Sequence, residues 1–260
     1  MSYFSNKVVA ITGGSDGIGK AMVESLLAQG ARVATCARNF DKLYSLQLQY
    51  STAPLHAITC DVSNEQDCKQ FIESTLKTFG RIDILINNAG ISMRSLFKDV
   101  DMDTLKNIMN VNFWGAVHCT KYALASIIEN KGTIVGMSSV AGYRGLPGKS
   151  GYSASKFALQ GWMEALRVEM ISSEVNVMWI CPGFTTTGIQ STTGESPIDE
   201  ETPMTPEECA SVTLKAIEKH KRNVIMTFIG KRTVFSSRFF PAFADKLIYK
   251  YFFKDGKLIR

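Results

Sequence analysis

A doubly wound α/β fold, with about seven parallel strands and helices on both faces, is what the sequence predicts. Three observations carry that expectation. Short apolar runs recur at 8–11, 32–36, 56–59, 82–86, 133–137, 176–180 and 224–228. Most are continuous rather than alternating, as strands buried on both faces are. Amphipathic stretches at 18–29, 66–78, 104–128, 152–171 and 206–219 separate them, and repeated strand–helix units imply right-handed crossovers into a parallel sheet. The first junction is a glycine turn between a strand and a helix, VVAITGGSDGIGK.

The elements have local causes. Ser63 with Gln66, and Thr205 with Glu208, have capping-box spacing, and Pro206 suits a first helical position. Segment 184–204, rich in Thr, Gly, Ser, Pro and acid, breaks the rhythm. Loops of that length in a compact domain are often functional, and this one follows the end of a strand, so a lid is expected. The resulting organisation is one catalytic domain over 1–230 with a C-terminal extension over 231–260. In such a Rossmann-like fold, ligands bind beyond the carboxyl ends of the strands, at the point where strand order reverses.

Composition narrows the function classes. The chain has 260 residues, 45% hydrophobic and 20% charged, with net charge +5, which is ordinary for a soluble globular protein. From Lys231 onward there are eight Lys or Arg against two Asp. That stretch carries +6, so the body is near −1, which argues against a nucleic-acid surface there. Six cysteines, with no CxxC spacing and no histidine cluster, read as reduced core thiols in a cytoplasmic protein and exclude a metal-site reading. No leader peptide and no run of about 18 apolar residues is evident.

The glycines at Gly13, Gly17 and Gly19 belong to a turn that a side chain would crowd, against a pyrophosphate or at the helix–strand contact. The helix opening near Ile18 aims free N–H groups and its dipole at an anion. The second strand ends in VATCARN, with Ala37 where an acidic residue would bind the ribose 2′-hydroxyl of NAD. Arg38 follows, and a guanidinium suits a 2′-phosphate, so NADP(H) is the expected cofactor. Asp16 in the glycine turn cuts against it. Asp61 in CDVS can accept from an adenine amino group or serve the neighbouring cap. Asn87 to Gly90, NNAG, offers small residues for close backbone approach and amides to satisfy the loop.

The reactive candidates lie in SSVAGYRGLPGKSGYSASK. Tyr152 and Lys156 stand four apart near a helix start and share a face. An ammonium beside a phenol favours phenolate, moving the tyrosine toward acid–base work near neutral pH. Ser139, at the end of the fifth strand, can donate to a substrate carbonyl. Asn112, on the preceding helix, can hold a water that links Lys156 to solvent. Each alone has a dull explanation; their order on successive elements does not.

The chain resembles the short-chain dehydrogenase/reductase family through TGGSDGIG, CDVS, NNAG, VNFWG, SSVAG, YSASK and CPG, from Thr12 to about Thr187. The resemblance implies a catalytic tetrad of Asn112, Ser139, Tyr152 and Lys156. It implies cofactor contacts at Gly13, Ser15, Asp16, Gly17, Ile18, Gly19, Arg38, Asp61, Val62, Asn88, Ala89 and Gly90, with Tyr152 and Lys156 holding the ribose end. Pro182, Gly183, Thr185 and Thr187 would border the nicotinamide, although family members often carry an aliphatic residue in place of Thr185. Ser139, Met93, Tyr143 and Tyr152 would face substrate, with Ser92 and Leu146 nearby, which suggests an apolar carbonyl or secondary alcohol.

Other readings remain open at this level. A non-catalytic NADP-binding regulatory module would share the fold but should lack the tetrad. A membrane-associated reductase of lipid, sterol or sphingoid ketones would explain the basic, aromatic tail. The tail can instead pack on the body, on a second subunit or over the substrate. The resemblance implies a homodimer or homotetramer formed through the long helices that start near Thr104 and Tyr152.

Overall fold

The computed structural model describes residues 1–183, 185 and 203–259. Its seven-stranded parallel sheet comprises β1 (Val8–Thr12), β2 (Arg32–Ala37), β3 (Leu55–Thr59), β4 (Ile84–Asn87), β5 (Thr133–Met137), β6 (Asn176–Cys181) and β7 (Asn223–Ile225), in the order β3-β2-β1-β4-β5-β6-β7. Strand order reverses between β1 and β4, so the doubly wound expectation holds and the switch point lies there.

Two helical layers cover the sheet. On one face α1 (Gly17–Ala28) packs beside α7 (Pro206–Glu218), and α2 (Phe40–Gln49) adds Leu46. On the other face lie α3 (Glu65–Phe79), α5 (Gly115–Glu129) and α6 (Ser150–Glu169). The continuous apolar strands supply both layers at once. Val9, Ile11, Ile84, Ile86, Met178 and Ile180 face the first layer, while Ala10, Leu85, Val177, Trp179 and Cys181 face the second. This two-residue alternation is what a strand buried on both sides must do. All six cysteines are free and buried.

Several local expectations change. The cap of α3 is Asn64, whose Oδ1 accepts from Gln66 N and Asp67 N; Ser63 instead donates its Oγ–H to Asp61 Oδ1 at 2.8 Å. The capping box of Thr205 and Glu208 is present. The helix expected over 104–128 is interrupted. It runs as α4 (Met102–Met109), a π turn over Asn110–Trp114 and then α5. The terminal strand stops at Ile225, because Thr227 caps a new helix by accepting from Gly230 N.

The C-terminal stretch is helical: α8 (Phe228–Phe239) and α9 (Pro241–Phe252), then a short antiparallel pair, β8 (Phe253–Lys254) and β9 (Lys257–Leu258). The boundary expected at 230/231 falls inside α8. Only Thr185, Pro203 and Met204 of the expected lid are among the described residues. Thr185 is buried and forms an isolated parallel bridge with Met204.

Glycine is required where α1 meets the sheet. A Cβ at Gly19 would stand 2.1 Å from Gly13 O and 2.6 Å from Asn88 Nδ2, and backbone cannot yield there as a flexible side chain would. Gly19→Ala should therefore cost about 2 kcal/mol, in the range of other overpacked sites. Thermal unfolding checks this, with a fall of roughly 5 °C expected; an unchanged Tm would show that the contact relaxes freely.

Candidate active site

The carboxyl ends of β1, β4, β5 and β6 gather the residues singled out by sequence. Thr12, the last residue of β1, uses Oγ1 to accept from Asn88 N and Ala89 N, both at 3.0 Å. Asn88 Nδ2 donates back to Thr12 O at 2.9 Å and Gly13 O at 3.2 Å. The NNAG segment is thereby clamped to the glycine turn across the switch point. Gly13 has φ of 73°, a left-handed conformation that favours glycine.

The turn leads into the N-terminus of α1, where Asp16 caps by accepting from Gly17 N at 2.7 Å. Lys42, on the first turn of α2, pairs with Asp16 at 2.5 Å. The Lys42 ammonium holds the Asp16 carboxyl below its usual range. Ser15, Asp16, Lys20 and Lys42 line an open groove of about 300 Å³ beside this turn. Arg38, just beyond β2, is exposed. Sequence reading missed Lys42, because its nearness to Asp16 depends on how α2 folds back. Asp61 Oδ1 is engaged by Ser63 N and Oγ at 2.9 and 2.8 Å, and Val62 packs against Gly115.

Ser139 follows β5 and caps a short 3₁₀ turn, its Oγ accepting from Ala141 N at 3.1 Å. Tyr152 and Lys156 lie on the first two turns of α6, with Lys156 Nζ 5.6 Å from the Tyr152 ring centroid. Lys156 is buried and donates to Met137 O at 2.8 Å. Gln160, four residues further on, donates to Ser138 Oγ at 2.7 Å and Ser139 O at 3.3 Å. It positions the end of β5, and its i+4 spacing from Lys156 was a readable signal.

The electrostatics of the protein without cofactor differ from the expectation that the Lys156 ammonium helps to lower Tyr152. Burial pushes the Tyr152 phenol up, opposed by the neighbouring Ser139 hydroxyl. Burial also pulls the Lys156 ammonium down to about 8. Both charged forms lose water, and desolvation outweighs the pairwise field in the protein alone.

Asn112 sits in the π turn rather than in regular helix. Its Nδ2 donates to Ile91 O and Ser155 Oγ, both at 2.9 Å, and its Oδ1 accepts from Ile91 N at 2.8 Å. Both side-chain N–H groups are thus spent on tying the loop after β4 to α6. The Tyr143 hydroxyl accepts from Trp179 Nε1 at 3.0 Å and Asn223 Nδ2 at 2.9 Å, so it braces β6 and β7.

Met93 is buried, and a Cβ on Gly151 would stand 3.2 Å from its sulfur, so it lies beside the start of α6. The Ser92 hydroxyl is buried without a hydrogen-bond partner among the described residues. Leu146 N donates to Ser153 Oγ at 3.2 Å. Pro182 and Gly183 follow β6, and Thr227 stands against Gly183. Thr185 Oγ1 donates to Gly183 O at 3.1 Å. Thr187 lies outside the described residues. No cluster of metal-ligating side chains occurs among the described residues.

A glycine turn before a helix, at the reversal point of a doubly wound sheet, fits the diphosphate of a dinucleotide. This architecture and edge define the class: a doubly wound fold with a dinucleotide-binding edge. The family model for short chain dehydrogenases matches residues 7–197, and the chain belongs to the short-chain dehydrogenase/reductase family.

Relatives and solved structures agree. "11-beta-hydroxysteroid dehydrogenase-like 2" of Arabidopsis thaliana is 40% identical over 187 residues, 70% of this chain and 60% of that protein. The matched region thus spans less than two thirds of the Arabidopsis protein. "Dehydrogenase/reductase SDR family protein 7-like" of Anopheles gambiae is 34% identical over 249 residues, 90% of this chain and 78% of that one. A Burkholderia phymatum short chain dehydrogenase/reductase, solved in complex with NAD, has a TM-score of 0.82 at 23% identity, covering 92% of this chain and 95% of its own. That likeness shows the shared fold.

The depressed Lys156 carries a signed consequence. Below about 8 the folded protein holds a charged, desolvated ammonium, whereas the unfolded side chain stays protonated up to about 10.5. As pH rises from 8 to 10.5 the unfolded chain holds more protons, so this penalty on the fold is relieved. The stability difference between wild type and Lys156→Met should move toward wild type over that window, by on the order of 3 kcal/mol at most. Denaturant unfolding at several pH values measures it; a flat difference would contradict the shift.

Proposed function

We propose that this chain interconverts an apolar carbonyl compound and its secondary alcohol with NADP(H), using Tyr152 as proton donor and acceptor. The observation that carries this reading is the juxtaposition of Tyr152 with buried Lys156, on a helix whose start is packed beside Ser139. When bound, the nicotinamide dinucleotide supplies or accepts the hydride. The chain's own residues do the rest.

In the reducing direction the Ser139 O–H donates to the substrate oxygen and fixes its position. The Tyr152 O–H passes its proton to that oxygen as negative charge develops there. The phenolate that remains is stabilised by the Lys156 ammonium, anchored on Met137 O. Reprotonation of Tyr152 closes the cycle, and oxidation runs these proton moves in reverse. Asn112 acts as a positioning residue, since it joins Ile91 to Ser155 on the helix that bears Tyr152.

The roles of Gly13, Gly17, Gly19, Asn88, Ala89 and Gly90 in this reading are to bring backbone close to the dinucleotide. Asp61 and Val62 border the adenine, and Pro182, Gly183, Thr185 and Thr187 border the nicotinamide. NADP(H) over NAD(H) is supported by Ala37 and Arg38, joined now by Lys42. With Asp16 already neutralised by Lys42, a 2′-phosphate near Arg38 meets less repulsion than the sequence suggested. An apolar substrate is supported by the buried Met93 and by the hydroxysteroid dehydrogenase name of the Arabidopsis relative; Ser92 offers one polar handle. A homodimer or homotetramer through the α5 and α6 side is supported by exposed Trp114 and Phe157. A monomer mass by light scattering would end that part.

Tyr152→Phe should bind NADPH within about three-fold of wild type yet lose 10²–10⁴-fold in kcat, the usual scale for a lost acid–base group. Turnover assays on a panel of apolar ketones and aldehydes read this. Retained turnover would overturn the mechanism.

Arg38→Ala should weaken NADPH binding by ~10-fold or more while leaving NADH nearly unchanged, the scale of hydrogen bonds to a charged group. Lys42→Ala should shift the same ratio in the same direction. Fluorescence titration with both cofactors measures this, and equal wild-type affinities for NADPH and NADH would remove the assigned roles of both residues.

A further inference from the structure

The outer face of the α8–α9 pair has a chemistry that the active site does not use. Phe228, Phe235 and Phe239 are spaced seven and four residues apart on α8, so they fall on one stripe. Phe240 and Phe243 continue it at the start of α9. These five rings are between 57% and 70% exposed. They cluster: Phe235 and Phe239 ring centroids are 4.8 Å apart, and Phe235 and Phe240 are 6.4 Å apart. Lys231, Arg232, Phe235, Phe240 and Phe243 line a shallow open groove of about 490 Å³ between the helices. A protein does not leave adjacent phenyl rings in water without cost.

The pair is held rigidly to the body from its inner side. Gly230 and Ala244 are buried. A Cβ on Gly230 would stand 2.9 Å from Val140 Cγ2, just after Ser139. Arg144 pairs with Asp245, and a Cβ on Gly148 would meet Leu258 at 2.8 Å. The exposed rings are therefore not a loose tail awaiting a place on its own domain. They form a fixed platform beside the strand ends that carry Ser139 and Gly183.

Charge selects the occupant. Residues 228–252 hold five basic side chains, Lys231, Arg232, Arg238, Lys246 and Lys250, against Asp245 alone. Asp245 is already paired with Arg144. A two-fold contact between copies would set this patch against itself and bring like charges together. An anionic lipid surface offers the reverse: phosphates for the flanking cations and an apolar boundary layer for the rings.

We propose that the α8–α9 face docks on an anionic membrane surface, with its phenyl rings in the interface and its lysines and arginines at the headgroups. No helix among the described residues is long and apolar enough to cross a membrane, so contact through this face is lateral. The inference stands independently of the hydride-transfer reading, since lipid binding is measured without substrate.

Full-length protein should float with vesicles of phosphatidylcholine and phosphatidylglycerol, at least ten-fold more tightly than with phosphatidylcholine alone, and rising salt should weaken binding. Phe235→Ser/Phe239→Ser/Phe243→Ser should lose at least ten-fold, with its far-UV circular dichroism unchanged. Should that variant fail to fold, Lys231→Gln/Lys246→Gln/Lys250→Gln tests the same face and should weaken anionic binding by a similar factor. Three results would overturn the proposal: no wild-type binding to anionic vesicles, binding unaffected by the variants, or sedimentation showing a wild-type dimer that the phenylalanine variant dissociates. The last would assign the face to a second copy.

Discussion

The clamp between Thr12 and Asn88 is the contact on which the rest of this site depends. Parallel strands β1 and β4 diverge in connectivity at the switch point, and their loops leave the sheet in different directions. The resulting crevice is useful only if its two lips hold a fixed separation. Four hydrogen bonds, from Asn88 N, Ala89 N and Asn88 Nδ2 to Thr12 and Gly13, join those lips through atoms of the protein itself. The close approach of α1 is part of the same constraint, because Gly19 lies against Gly13 O and Asn88. Glycine at that position serves the packing of helix on strand at least as directly as any ligand.

A second layer of support stands behind the reactive helix. Asn112 joins the loop after β4 to Ser155, Gln160 joins α6 to the end of β5, and Lys156 reaches Met137 O. The ends of two neighbouring strands, β4 and β5, are thereby referenced to one helix face. The π turn at Asn110–Trp114 makes this possible, since an extra residue in the turn re-aims the side chains that follow. The arrangement has an electrostatic cost: Lys156 is drawn down to about 8 and Tyr152 is pushed up. An acid–base pair largely held away from water responds strongly to any charge that arrives beside it, which suits the proton transfer proposed for Tyr152.

What sequence revealed of this arrangement follows from how local each signal is. Strands buried on both faces write continuous apolar runs, so β1 to β6 were legible apart from their ends. The tyrosine and lysine of α6 were legible because four residues is one helical turn. The π turn left no mark, as its residues NVNFW are compatible with regular helix and only packing against Ile91 and Ser155 distinguishes them. α2 was missed because its first turn follows a short polar stretch and its exposed face carries Phe40, Tyr44 and Leu48, which blurs the amphipathic pattern. The bracing role of Tyr143 was not legible for a related reason: its partners, Trp179 and Asn223, lie 36 and 80 residues away, beyond any local pattern. The cap shift from Ser63 to Asn64 reflects a local competition that Asp61 decides by engaging Ser63.

The basic excess of the C-terminal stretch had several explanations while its conformation was unknown. Its conformation bears on one of them, packing on the body, through Gly230, Arg144 and Gly148. As a flexible tail, 231–260 could have folded over the substrate or wrapped a neighbour with its aromatics inward. As two helices and a short strand pair, it has an inner side already spent on Val140, Arg144 and Gly148. The rings that remain outside are fixed there by helical geometry, because turning them inward would expose Gly230, Ala244 and Phe252 instead. The body and the tail therefore divide their labour by residue type. The near-neutral body buries Asn87, Asn112, Ser138 and Lys156 around the carboxyl ends of β4 and β5, while the helical pair places both cations and phenyl rings on the outside.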